Sequence, residues 1–324
     1  MKILVIFTGG TIGSAVVDGW ISLDDNSKYA LIQNFKKNDT DDVVFETLSP
    51  YDILSENLSG KELSDICNIV ALKETEGYDG IIVTHGTDTL QYTASALAYC
   101  VKGQIPILLV SANYTLENPN GNGNQNFKSA VAFIKNKMGK GVFVAYKNTL
   151  DEHTTIHIAT RIIGHQEGKD EVYSLSEPYA CVTSKKVELL GEKECFGGSI
   201  GGVGFVEDPR VLVINSVPGE QFLYDVTKYR AVLIKPYHSG TLNTQNKNLV
   251  RFCKQASESN VPVFLANFKA GENYESCKKY QELGFSVLPY CAMPSIYVKI
   301  WLAISLNKDI KEFVLTELAK EFID

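Results

Sequence analysis

The sequence has no excess of positive charge: 31 lysines and arginines stand against 38 aspartates and glutamates, a net charge of −7. A protein that binds nucleic acid by neutralising phosphates needs the opposite balance, so nucleic acid is not an expected partner. The seven cysteines, at 67, 100, 181, 195, 253, 277 and 291, are odd in number and form no C-x-x-C pair. That excludes a disulfide framework or a cysteine zinc site and fits reduced thiols in the cytoplasm. No apolar stretch approaches the roughly 20 residues of a membrane span. The apolar start "MKILVIF" is too short for a signal peptide, and no cleavage motif follows it. Repeats and low-complexity tracts are absent. His153, His157, His165 and His238 have no metal-ligand spacing. Two phosphate-binding glycine patterns are also missing. The first glycines run Gly9-Gly10-x-x-Gly13 instead of G-x-G-x-x-G, and no G-K-S/T occurs.

What is present is an ordinary globular composition. The chain has 324 residues, 44% hydrophobic and 21% charged, enough for one large domain or two ordinary ones. Residues 2–7 read as a buried strand and 43–48 as a second. A helix follows from Ser59, which has capping-box spacing to Glu62. Leu63, Ile66 and Val70 share one face of it, and Gly77 is its stop. "GIIVTHGTDTL" reads as a strand over 81–84, a tight loop, and a helix capped by Asp88 and ending near Gly103. A strand "IPILLVSA", a helix "NQNFKSAVAFIKNKM" and strands "VFVAY" and "TTIHIATRI" continue the alternation. This pattern implies an α/β protein with a mostly parallel sheet and helices on both faces. The glycine-rich stretch 186–208 breaks it and reads as a linker. Residues 1–185 are then a larger N-terminal catalytic domain. Residues 209–324 are a smaller α/β domain with strands in "RVLVINSVPG", "YRAVLIKPYHSG", "VPVFLANF" and "FSVLPY", helices between them, and two helices to close the chain.

Ligands of such sheets sit beyond the carboxyl ends of the strands. Two polar loops fall there: "TGGTIGS" after the first strand and "THGTDT" after the strand ending at Thr84. Glycines let backbone N–H groups come close to a ligand, where clustered N–H groups stabilise an oxyanion. Between them stands the Thr11 hydroxyl, a nucleophile once a neighbour takes its proton. The second loop adds Thr87 and Asp88. The plain alternative is two turns capped by threonine and aspartate. Residues 55–57, "SEN", read equally as a polar entry to the helix after Ser59.

Gly9-Gly10-Thr11-Ile12-Gly13 and His85-Gly86-Thr87-Asp88-Thr89 resemble the two signature motifs of bacterial-type L-asparaginases. "YTASALA" after the second motif is most similar to the cytosolic, type I branch. The likeness runs along nearly the whole chain, through "LSENLS" and "NGNQNF". It implies the two-domain asparaginase-like fold, a homo-oligomer (dimer or tetramer), and a cofactor-free, metal-free ping-pong amidohydrolase that converts asparagine to aspartate and ammonia. Thr11 then matches the nucleophile. Thr87 matches the second-motif threonine, which positions water or the amide, and Asp88 grips the substrate ammonium. Gly10, Gly86, Ser55 and Glu56 fall at substrate-binding positions, with Ser55 on the α-carboxylate. Glu56 stands where glutamine or serine is common. The family gives the His85 position no direct chemistry, so a packed loop histidine is expected there. Thr241 is the nearest match for an asparagine that a neighbouring subunit contributes.

Two positions depart from the family. The lid after the first motif, residues 14–30, usually presents a tyrosine. Here Trp20 stands in its place, and Tyr29 is a substitute further along. Indole cannot accept a proton. The relay lysine matches Arg161, preceded by Thr160, or Ile156 in another register. Arginine holds charge but keeps its proton. A re-purposed homologue that binds a small amino acid is therefore a second reading. A third is the asparaginase-like component of a tRNA-dependent amidotransferase. Such components carry a domain before the first motif, whereas this sequence starts at the strand. The 14–30 segment joins a glycine hinge at Gly13 to a turn at Asp18-Gly19, runs through "DDNSK", which has neither helical nor strand period, and is expected to be a mobile lid.

Overall fold

The computed structural model describes residues 1–23, 25–39, 42–166, 168–191, 195–266 and 274–323. The chain divides into two compact units, Met1–Val203 and Gly204–Asp324.

The first unit contains, in chain order, β1 (Lys2–Phe7), β2 (Ser14–Val17), β3 (Trp20–Leu23), α1 (Asp25–Asn38), β4 (Val44–Leu48), α2 (Gly60–Lys73), β5 (Gly80–Thr84), α3 (Leu90–Cys100) and β6 (Pro106–Val110). It continues with α4 (Gly123–Lys135), β7 (Lys140–Tyr146), β8 (Thr154–Ile158), β9 (Ala180–Thr183), β10 (Lys186–Leu189) and β11 (Cys195–Phe196). Its main sheet runs β10-β9-β8-β7-β6-β5-β1-β4, with β11 paired to β7. From β4 to β7 all neighbours are parallel, and β8, β9 and β10 add antiparallel. The switch follows from chain length: residues 147–153 are too few for the crossover that a parallel pair needs.

β1 shows why both faces are covered. Ile3, Val5 and Phe7 share a cluster with Leu31, Ile32 and Phe35 of α1 and with Phe127, Ala130 and Phe133 of α4. Leu4 and Ile6 point the other way and are equally buried. Every residue of β5 and β6 is buried, which explains their unbroken apolar sequence. α2 starts with the expected capping box of Ser59 and Glu62, and Leu63, Ile66 and Val70 are buried on its inner face.

Three local expectations change. α3 begins at Leu90 with Thr89 as its N-cap residue, so Asp88 is not the cap and its carboxylate stays exposed. In the 14–30 segment, "DDNSK" is expected to lack period, but α1 begins within it at Asp25. The segment forms the β2–β3 hairpin, turned at Asp18 and Gly19 (φ 52° and 84°), followed by the start of α1; Asp24 lies outside the described residues. The front of the expected 186–208 linker is also structured. Lys186–Leu189 pairs with β9, Cys195–Phe196 pairs with β7, and the division between units falls after Val203. Glycine-rich sequence hid these short edge strands, which are set by partners distant in sequence.

The second unit contains β12 (Val211–Asn215), β13 (Ala231–Lys235), α5 (Lys247–Glu258), β14 (Val263–Leu265), β15 (Ser286–Val287), β16 (Tyr290–Cys291), α6 (Met293–Ser305), α7 (Ile310–Leu315) and β17 (Phe322–Ile323). β12-β13-β14-β15 is an all-parallel sheet. Alternation along β13 sorts its layers: Val232 and Ile234 join Leu249 and Phe252 of α5, whereas Ala231 and Leu233 join Ile296 and Ile300 of α6. Between β12 and β13 stands a 3-10 turn, Val226–Lys228, where a helix was expected.

The closing strand β17 is tied to α6 by a buried charge. Lys299 is fully buried and donates to Glu321 and to the Thr316 carbonyl, with the Phe322 ring 4.7 Å from its nitrogen. Burial pulls the Lys299 pKa down, and Glu321 works against that shift. Glu321 also accepts from the Leu318 and Ala319 N–H groups at 3.1 and 2.7 Å. Glu321→Leu leaves an unpaired buried ammonium, so we expect it to destabilise the second unit by about 3–5 kcal/mol. Lys299→Met added to it should recover most of that loss in denaturant unfolding.

Candidate active site

The carboxyl ends of β1 and β5 are tied together before either loop begins. The Thr8 hydroxyl donates to the Thr84 carbonyl at 2.6 Å. The chain then turns through Gly9 and Gly10 at φ 98° and 79°, values that side chains rarely tolerate. A Cβ on Gly9 would stand 2.2 Å from the Ile53 carbonyl oxygen. Gly10 N–H donates to that same carbonyl at 3.1 Å, and Ile53 N–H donates to Thr8 at 3.2 Å. So the first loop lies directly on the strand that leads to Ser55.

Its contact with the second loop is closer still. A Cβ on Gly10 would lie 2.3 Å from Gly86 N, and one on Gly86 would lie 2.4 Å from Ser55 Oγ. The two glycine loops therefore meet backbone to backbone, and the Ser55 side chain is pressed against Gly86. Thr11 and Thr87 are the next residues after the two touching glycines. Thr11 opens a 3-10 turn, Thr11–Gly13, closed by Gly13 N–H and Ser14 Oγ, both on the Gly10 carbonyl at 2.9 and 2.8 Å.

Ser55 is buried. Its hydroxyl donates to Asp88 Oδ2 at 3.3 Å, and its carbonyl accepts from the Thr89 hydroxyl at 2.8 Å. Thr11 and Thr87 are half-buried, whereas Asp88 and Glu56 are exposed. The tertiary structure thus brings Gly10, Gly86, Ser55 and Asp88 together, and Thr11 and Thr87 follow the two glycines in the chain. This cluster offers a hydroxyl, a carboxylate and glycine backbone.

The other expected residues stand further out. Trp20 begins β3 just past the hairpin turn and is 76% exposed, so no protein surface packs it over Thr11. Tyr29 lies in α1, its ring edge-on to Phe7 at 5.6 Å between centroids. Arg161 ends a 3-10 turn, Ala159–Arg161, with Nη1 3.5 Å from Ser176 Oγ. Thr241 lies in the second unit, its hydroxyl 3.0 Å from that of Ser239.

His85 is the packed loop histidine that was expected. It is 3% exposed; Nδ1 donates to the Gly86 carbonyl and Nε2 accepts from the Thr93 hydroxyl, both at 2.8 Å. Burial pushes its pKa down to about 4, against a smaller upward pull from the Gly86 carbonyl. His85 is therefore neutral and rigidly placed, which fixes the loop that carries Thr87 and Asp88. His165 is a residue that sequence reasoning passed over: its Nε2 lies 2.9 Å from the Thr87 carbonyl. Nothing in local spacing signals a contact across 78 positions.

Three comparisons place this architecture among known proteins. A family model described as "Asparaginase, N-terminal" matches residues 2–189. The L-asparaginase of Thermococcus kodakarensis is 26% identical over 325 residues, covering 96% of this chain and 95% of that protein. A glutamyl-tRNA(Gln) amidotransferase component from Methanobrevibacter smithii is 27% identical over 282 residues, covering 82% of this chain. This chain spans 62% of that relative's length. The solved structure of the Thermococcus kodakarensis enzyme superposes with a TM-score of 0.82 at 24% identity, each chain fully covered.

The histidines carry a pH prediction. His85 and His157 are both buried and both pushed down from the usual 6.5 to about 4 by desolvation. The unfolded chain takes up their protons first, so their stabilisation is complete above pH 6.5 and is lost as pH falls toward 4. The loss should be roughly 3 kcal/mol for each histidine. Urea unfolding of the first unit across this range checks it. His85→Asn, which keeps a donor for Gly86, should flatten the slope by about half; an unchanged slope would remove His85 from the account.

Proposed function

The chain belongs to the asparaginase family, and we propose that it is an L-asparaginase-type amidohydrolase with Thr11 as its nucleophile. The backbone contact of Gly10 with Gly86 supports this reading, because Thr11 and Thr87 are the residues that follow the two glycines. In the proposed reaction Thr11 Oγ attacks the side-chain carboxamide carbon. The carbonyl oxygen becomes an oxyanion and is met by backbone N–H groups of the glycine loops. Ammonia leaves and an ester forms on Thr11. Water, oriented by Thr87, then hydrolyses the ester and frees aspartate.

Asp88 receives the substrate ammonium, and Ser55 the α-carboxylate. The Ser55 hydroxyl already bonds Asp88, which supports putting the two groups on one substrate. Glu56 is exposed beside Ser55 and is a poor partner for the α-carboxylate, so in this reading it serves the ammonium. Trp20 serves as an apolar cap and Arg161 as a fixed positive charge. Neither takes the Thr11 proton, which passes to water, to Tyr29 swung inward, or to the substrate carboxylate. The substrate is small, and nucleic acid and membrane have no part in the reading. No described helix is long and apolar enough to cross a membrane. Cys67, Cys100, Cys181, Cys253, Cys277 and Cys291 are free thiols, in keeping with a cytoplasmic setting.

A second reading, an amidase acting on glutamine, is favoured by the similarity to the amidotransferase component. Ammonia release from asparagine, glutamine and short amide-bearing peptides separates the two. The proposal expects asparagine to be turned over fastest and Thr11→Ala to abolish release while its melting temperature stays within a few degrees. Turnover with glutamine alone transfers the assignment to the second reading. Full turnover by folded Thr11→Ala removes Thr11 as nucleophile.

We also propose a homo-oligomer, in which Thr241 of the second unit faces a neighbouring copy's site. Light scattering should then give particles of at least twice the 35.8 kDa chain mass. Full activity in a preparation that scatters only as single chains would count against it.

A further inference from the structure

Two imidazoles hold consecutive carbonyls of the loop between β5 and α3. His85 Nδ1 donates to Gly86 at 2.8 Å, from within the loop. His165 Nε2 lies 2.9 Å from the Thr87 carbonyl oxygen, from a segment far along the chain. The other nitrogen of His165, Nδ1, lies 2.9 Å from the Glu171 carbonyl. A carbonyl only accepts, so the Nε2–H tautomer serves Thr87 and the Nδ1–H tautomer serves Glu171.

The Thr87 carbonyl and the Asp88 N–H belong to one peptide unit. All peptide bonds described here are trans, and in a trans unit these two groups point in opposite directions. The Thr87 carbonyl also accepts from the Leu90 N–H at 3.3 Å, and holding it on His165 as well keeps the Asp88 N–H turned away from His165. Among the described residues no backbone acceptor takes that N–H, and Asp88 itself is exposed. The segment in which the family carries its relay lysine thus reaches the second motif here through an imidazole four positions beyond Arg161.

Resting on the amidohydrolase reading, we propose that His165 is a positioning residue for catalysis. By gripping the Thr87 carbonyl it fixes the Thr87–Asp88 peptide, and with it the Thr87 hydroxyl and the Asp88 N–H, in the orientation that turnover requires. It touches neither substrate nor the reacting atoms; it acts through Thr87.

Amide side chains separate the two ring nitrogens. Glutamine places its NH₂ near the position of Nε2, and asparagine places its NH₂ near that of Nδ1. His165→Ala and His165→Asn should each lower kcat for ammonia release by roughly 10- to 100-fold, the scale of a misplaced catalytic group. KM should stay within about threefold, because orientation is lost and not ground-state binding. His165→Gln should restore most of kcat. An alanine variant with kcat within about twofold of wild type overturns the proposal. So does rescue by asparagine but not glutamine, which assigns the ring to Glu171 instead. Hydrogen exchange of the 85–89 amides is read in parallel, because it does not depend on turnover. His165→Ala should speed it at least about fivefold, and His165→Gln should not. A wild-type protein that releases no ammonia from either amino acid amide defeats the amidohydrolase reading. Unchanged exchange in His165→Ala then defeats the positioning of the loop on its own account.

Discussion

The backbone contact between Gly10 and Gly86 is the constraint on which the site depends. Two strand-end loops press together so closely that a single Cβ at either glycine would strike backbone or the Ser55 side chain. Everything with chemical potential is placed by that contact. Thr11 and Thr87 each follow a touching glycine, and Ser55 is pressed against Gly86 while bonded to Asp88. The sheet makes this approach possible. Parallel pairing of β1 with β5 brings both carboxyl ends to one edge, and the Thr8–Thr84 hydrogen bond fixes their spacing at the point where the loops depart.

Rigidity here comes from the polar groups as much as from the core. The Gly86 and Thr87 carbonyls each meet an imidazole nitrogen, and the Ser55 carbonyl meets the Thr89 hydroxyl. Carbonyls engaged from outside leave N–H groups directed elsewhere, which is how a loop without regular structure presents donors to a ligand. The burial that makes His85 so dependable also makes it pH-sensitive, since a neutral ring in an apolar setting resists charging. Trp20, at the start of β3, is 76% exposed.

The second unit solves a different problem with the same grammar. Its short parallel sheet sorts α5 to one face and α6 with α7 to the other through strict alternation along β13. The chain's last strand is held by the buried Lys299–Glu321 pair. Charge in so dry a place gives little net stability, but it specifies one partner, and the tail adopts the one path that satisfies it.

By itself the sequence determined the α/β class, the two-unit division, the buried strands at β1, β5 and β6, and the two loops that carry Thr11, Thr87 and Asp88. These are local matters: unbroken apolar runs, a capping box, and glycines followed by hydroxyls at strand ends. Ser55 was legible only through resemblance, because its burial and its bond to Asp88 join separate segments. What tertiary structure decided is everything set by distant partners. It made a hairpin and helix of the expected lid, drew 186–189 and 195–196 into the first sheet, and left Asp88 uncapped and exposed. It also brought His165 onto Thr87. A hydrogen bond across 78 positions leaves no periodicity in the sequence, since only the folded sheet brings its two ends within reach of each other.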